Sequence, residues 1–189
     1  MLGYHGCEKA FGLNAVSGQS KLAPSKGVID WLGTGIYFWE GDPGRAMEWA
    51  LQKKKRGDIK EPFVVGAVID LGNCLDLCVR ENIELVKLAY RSFATVQQMA
   101  GLQMPENTTA AKDKSPDKVL RYLDCAVVNH LHSIVKNNPL PGISPFDTVR
   151  SLFPEGLDLY DGSGFKDKSH SQIAVLTASC IKGIFLPIK

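Results

Sequence analysis

Four histidines are few enough to weigh singly, and they differ in what their neighbours allow. His5 is followed by Gly6, which sets an imidazole beside backbone that lacks a Cβ and that a flat ligand can approach closely. His130 and His132 are separated by one residue within a helical pattern, so they do not share a helix face and cannot ligate one metal from that helix. Cys74-x-x-x-Cys78 lacks a second pair at a recognised zinc spacing, and no metal site is expected. His170 is either a general base near neutral pH or an exposed loop histidine. The phosphate-binding P-loop, the dinucleotide fingerprint Gly-x-Gly-x-x-Gly and the nucleophile elbow Gly-x-Ser-x-Gly are all missing. The chemistry must come from a dispersed pattern.

The elements that would position these residues can be read from periodicity. Residues 2–4 and the run Gly35-Ile36-Tyr37-Phe38-Trp39 look like short strands in an otherwise irregular, glycine-rich first block, with a polar turn-rich stretch over 17–26 between them. Asp42 and Pro43 suit the cap and first turn of a helix Pro43–Arg56. Ala46, Trp49 and Ala50 share one face of it, and Lys53-Lys54-Lys55-Arg56 sits where cations favour the helix dipole. The apolar, β-branched run 63–71 reads as a central strand. Helical spacing returns over 81–102 and 118–136, joined by a polar, turn-rich linker that composition predicts to be mobile. Residues 137–171 read as an ordered aromatic loop, followed by strands over 172–177 and 181–186. The expected fold is α+β: a single domain over 1–189, with a split β-sheet, flanking helices and a helical insertion at 81–136.

Composition bounds the class. The chain is 44% hydrophobic and 22% charged, with a net charge of +2 and a mean hydropathy of −0.06, in the range of globular domains. Five scattered cysteines make a disulfide framework improbable. No apolar run reaches the ~20 residues of a membrane span and the start lacks the pattern of a signal peptide, so a cytoplasmic protein without membrane partners is expected.

The motifs together resemble a known family. His5-Gly6, Gly33-Thr34-Gly35-Ile36-Tyr37-Phe38, the helix segment Arg45-Ala46-Met47-Glu48-Trp49 and the late segment Ser169-His170-Ser171-Gln172-Ile173-Ala174-Val175 occur in the order of the ADP-ribosyltransferase superfamily. The likeness is to the branch of diphtheria toxin and the poly(ADP-ribose) polymerases. It implies an ADP-ribosyltransferase-like fold and NAD⁺ as co-substrate. It assigns His5, Gly6, Gly35, Tyr37, Arg45 and Trp49 to NAD⁺ binding, and His5, Tyr37, Gln172 and His170 to catalysis. His5 would bond the adenosine-side ribose, the Gly6 backbone the nicotinamide carboxamide, and Tyr37 and Trp49 would sandwich the flat nicotinamide cation by stacking and cation–π attraction. Ala46 stands where the family has a serine.

The departure is Gln172, which occupies the place of the family's late-strand glutamate and cannot supply charge. Three readings stay open: a carboxylate from Glu40, Asp147, Glu155 or Asp167 substitutes, the acceptor's own charge or base serves, or the domain binds NAD⁺ or ADP-ribose without turnover. Elongating family members generally retain the glutamate, so the resemblance implies mono-ADP-ribosylation of a protein or nucleic acid, RNA included. It also implies the biology of a bacterial toxin or anti-phage effector, with an antitoxin protein as partner. An NAD glycohydrolase and an RNA 2′-phosphotransferase are the other enzymes considered on this scaffold. The latter needs arginines in the site, for which Arg45 and Arg150 are the sequence candidates. Lys53 to Arg56 and the Lys166/Lys168 loop are the first basic contacts expected for a nucleic-acid acceptor.

Overall fold

A computed structural model describes residues 1–25, 27–109, 117–137 and 142–188. The chain is α+β. Seven strands form one mixed sheet, β1 (Leu2–Glu8), β2 (Ile36–Glu40), β3 (Pro62–Ile69), β4 (Cys74–Asp76), β5 (Thr148–Phe153), β6 (His170–Val175) and β7 (Ile181–Phe185), in the order β4-β5-β6-β2-β1-β3-β7. Only the β4/β5 pair is parallel. Four helices are described, α1 (Lys9–Val16), α2 (Pro43–Arg56), α3 (Arg80–Met99) and α4 (Tyr122–Asn137).

Strand alternation divides the core into two faces. Ile36 and Phe38 of β2, Ala67 and Ile69 of β3, and Ile173 and Val175 of β6 pack with Ala15 of α1 on one side. On the other, Leu75, Val149 and Ala174 pack against Ala89 of α3 and Val127, Val128, Leu131 and Val135 of α4, so both helices lie on the β4–β5–β6 half of the sheet. Among the described residues no helix is long and apolar enough to cross a membrane.

The sheet narrows at its centre. β1 pairs with β3 along its whole length, from Leu2↔Val68 to Glu8↔Pro62, but with β2 only at Gly3↔Glu40 and Tyr4↔Trp39. Beyond Tyr4 the ladder opens, and the His5 side chain reaches across to the β2 backbone. β1 and β2 are therefore joined by two residue pairs within one continuous sheet, and not divided into two sheets.

Helix α2 is built as its sequence requires. The Asp42 carboxylate accepts from the Arg45 N–H at 2.9 Å, Pro43 occupies the first turn, and Gly57 ends the helix at φ 83°. Its small residues Ala46 and Ala50 are fully buried against β1 and allow close packing. A Cβ on Gly6 would stand 2.3 Å from the Ala46 carbonyl oxygen.

Several expectations change. β1 runs through His5 rather than stopping before it, because pairing with β3 carries it on to Glu8. Helix α1 lies in the block read as irregular, where Gly12 masked the helical pattern and instead lets Phe63 and Val65 pack closely. The stretch 137–171 is not all loop. Val149, Ser151 and Phe153 point inward and make 148–153 a strand held between β4 and β6. The expected linker and loop fall partly outside the described residues, at 110–116 and 138–141.

Candidate functional site

A cavity of about 450 Å³ opens on the α2/α4 side of the sheet, within the range of small-molecule sites. His5, Tyr37, Arg45, Trp49, His170 and Gln172 all line it. These residues come from β1, β2, α2 and β6, and the chain gathers them because β2 lies between β1 and β6 in the sheet while α2 crosses above β1.

His5 donates from Nδ1–H to the Tyr37 carbonyl at 2.8 Å, since a carbonyl only accepts. Burial lowers its pKa to about 4, so near neutral pH it is a neutral imidazole whose Nε2 is a bare acceptor. Such an atom suits a ligand hydroxyl. The Tyr37 hydroxyl accepts from the Leu32 N–H at 2.9 Å and donates to the Gly33 carbonyl at 2.8 Å, which locks the ring and holds the preceding turn. Burial raises this phenol well above its ordinary range, so Tyr37 is a wall and not an acid.

Gln172 is 8% exposed, and its Oε1 accepts from the Trp31 indole N–H at 2.6 Å. That fixes the amide and leaves its NH₂ as the donating end. His170 is a strand residue, 6% exposed, and not the exposed loop histidine of the sequence alternatives. Its Nδ1–H donates to the Lys168 carbonyl at 2.8 Å, and burial lowers its pKa, leaving Nε2 as a proton acceptor.

Of the carboxylates weighed as replacements for the missing glutamate, Glu155 alone lines the cavity. It bonds Arg45 at 2.9 Å and lies 3.7 Å from His170 Nδ1, while Arg45 also pairs with Glu48. Glu40 is held instead by Arg150 at 2.7 and 3.2 Å, and Arg150 is held in turn by Asp76 at 2.9 Å. This triad ties β2, β4 and β5 together and removes Arg150 as a site arginine. Asp147 accepts from the Asn73 N–H and Asp167 from the Leu157 N–H, both away from the cavity.

The two glycines have other work. Neither lines the cavity: Gly6 admits the α2 backbone rather than a ligand, and a Cβ on Gly35 would meet Ala174 at 3.1 Å and the Val175 carbonyl at 3.2 Å. The Gly6 carbonyl accepts from Lys53 Nζ at 3.2 Å. Ala46, in the serine position of the resemblance, is buried on the β1-facing side of α2.

Residues that motif reading missed complete the walls. Trp31 packs on Phe153 with ring centroids 4.8 Å apart, Phe153 on His170 at 5.4 Å, and the Arg121 guanidinium lies 4.6 Å over Phe153. The signal that could have pointed to Trp31 is its place directly before the Gly33–Phe38 motif. Phe153 and Arg121 carry no local signal. Among the described residues, the buried polar atoms without a hydrogen-bond partner are Trp39 Nε1, Arg45 Nε, Arg121 Nε and His132 Nε2, and the first three belong to cavity-lining residues.

His130 bonds Ser92 and His132 packs on Phe146, both in the α3/α4 layer. Among the described residues no group of three or more His, Cys, Asp and Glu is arranged to hold a metal. Burial lowers the His132 pKa to about 4, as for His5. Unfolded histidines take up protons near pH 6.5 while these two do not, so stability falls as pH drops from about 6.5 toward 4, on the order of 2 kcal/mol for each imidazole between pH 7 and 5. Urea midpoints at the two pH values check this, and His132→Leu should flatten the dependence.

No protein-family profile and no solved structure matches the chain. An uncharacterized protein of Methanocaldococcus jannaschii is 26% identical over 198 aligned positions, covering 95% of this chain and 83% of the relative.

Proposed function

We propose that the chain cleaves NAD⁺ at the nicotinamide glycosidic bond and transfers single ADP-ribose units to a macromolecular acceptor. The observation that carries this reading is the meeting of His5, Tyr37, Arg45, Trp49, His170 and Gln172, spread over most of the sequence, around one cavity. The lining suits the co-substrate. Tyr37, Trp39 and Trp49 offer aromatic faces, and Arg45, Lys53 and Arg56 offer charge for a diphosphate.

NAD⁺ supplies the ADP-ribose: its C–N bond to nicotinamide breaks with the electron pair leaving on the ring, and an acceptor lone pair forms the new bond at C1′. His5 Nε2 accepts a ribose hydroxyl. Tyr37 and Trp49 hold the flat ring, and the Gln172 NH₂ donates to the reacting ribose. Glu155 brings negative charge toward the developing cation, and His170 Nε2 receives the acceptor's proton.

Incubating the protein with NAD⁺ labelled in the adenosine half, alongside separate protein, RNA and DNA pools, tests the reading. Label in one pool is the expected result. Free ADP-ribose alone identifies a glycohydrolase, and bound but intact NAD⁺ identifies an inert binding module, the reading that the neutral Gln172 favours. Gln172→Glu sharpens the test. A carboxylate still accepts from the Trp31 N–H and adds the missing charge, so nicotinamide release should rise about tenfold, or ~1.4 kcal/mol. A fall in rate with folding intact would contradict the roles given to Gln172 and Glu155.

A further inference from the structure

The charge of the cavity differs from that of the chain. Overall net charge is +2, but among the described residues lining the cavity Arg45, Lys53, Arg56, Arg121 and Lys168 outnumber Asp30 and Glu155, with Glu48, Asp58 and Asp124 pairing Arg45, Arg56 and Arg121 from outside the lining. Two places in it join an aromatic ring to a guanidinium. On α2, Arg56 lies 4.8 Å and Lys53 5.9 Å from the Trp49 ring. Across the cavity, Arg121 lies over Phe153 and makes an ion pair with Asp124, while its Nε is buried without a partner. Phe153 adjoins His170, the residue given the acceptor's proton.

The cations also continue outward. Lys54 and Lys55 add exposed charge at the same end of α2, on the helix faces adjoining the Lys53/Arg56 side, and make no ion pair among the described residues. A dinucleotide seated in the cavity does not need charge outside it, whereas a polyanion passing the mouth does. Cations in a row interleaved with aromatic faces are how proteins hold single strands, the rings stacking bases and the cations tracking phosphates.

We propose that the acceptor is a single-stranded nucleic acid, one base of which stacks on the part-exposed Arg121 guanidinium, itself seated on buried Phe153, while its phosphates follow Lys168 and the Lys53–Arg56 end of α2. This rests on the reading of the cavity as an NAD⁺-cleaving site and names the acceptor that reading leaves open. A cationic mouth also disfavours acceptor proteins presented through lysine or arginine side chains.

The test reads strand binding without NAD⁺. Fluorescein-labelled 12-nucleotide single strands of RNA and of DNA, and poly-glutamate as a plain polyanion, are titrated with protein at 50 and 200 mM salt. Micromolar binding of RNA, DNA or both, steeply weakened by salt and tighter than poly-glutamate, is expected. The exposed double variant Lys54→Gln/Lys55→Gln should weaken it three- to tenfold and shallow the salt dependence, and Arg121→Gln should weaken it about tenfold. No strand binding, equal binding of poly-glutamate, or label from NAD⁺ entering the protein pool alone would overturn the proposal. Nicotinamide release by the wild type, measured in parallel, separates the two readings: its absence with strand binding intact would overturn the NAD⁺ chemistry and not the strand-binding surface.

Discussion

His5→Ala is expected to lower nicotinamide release from NAD⁺ at least 100-fold, about 2.7 kcal/mol of transition-state stabilisation. The size follows from two losses at once. Nε2 is the uncharged acceptor that His5 turns to the cavity, and Nδ1–H holds the Tyr37 carbonyl where the β1/β2 ladder has opened. Removing the ring takes away a ligand contact and leaves the backbone beneath Tyr37 with an unmet acceptor, so both a polar contact and an aromatic wall are disturbed. The neutral state matters as well: with a pKa of about 4, His5 keeps its acceptor through the physiological range. Activity assays at pH 7.5 paired with thermal melts check this. Retention of activity within threefold, in a folded variant, would remove His5 from the site.

Gly6→Ala should be among the most damaging small substitutions, costing about 3 kcal/mol or preventing folding. The added Cβ would lie 2.3 Å from the Ala46 carbonyl oxygen, which is backbone and cannot rotate away. β1 cannot yield, because it is paired with β3 along its length, so α2 must move. That helix carries Arg45, Trp49 and Lys53, and the cavity would change with it. Urea unfolding of Gly6→Ala against Gly164→Ala measures the effect, since a Cβ on Gly164 meets nothing within 4 Å and should leave the midpoint unchanged. Equal midpoints would show that α2 does not sit where described.

The parts of this fold written in local pattern were legible from sequence: the Asp42 cap and helix Pro43–Arg56, the β-branched run of β3, and the apolar stripes of α3 and α4. The parts decided by distant partners were not. β5 has polar Arg150 and Ser151 in its middle and becomes a strand through neighbours that include β4, more than seventy residues away. Arg150 looked available to a ligand until Glu40 and Asp76 closed on it from two other strands. The resemblance named six residues that meet at one cavity and two, Gly6 and Gly35, that do not line it, because a glycine that admits a ligand and one that admits a neighbouring backbone look identical in sequence. Trp31, Phe153 and Arg121 meet only through tertiary packing.

The most direct test of the central claim is release of nicotinamide from NAD⁺ by the purified wild-type protein, followed by chromatography with His5→Ala alongside. Time-dependent release by the wild type, reduced at least 100-fold in the variant, is the expected result. Release indistinguishable between the two, or none from a wild type that fails to bind NAD⁺, would contradict it.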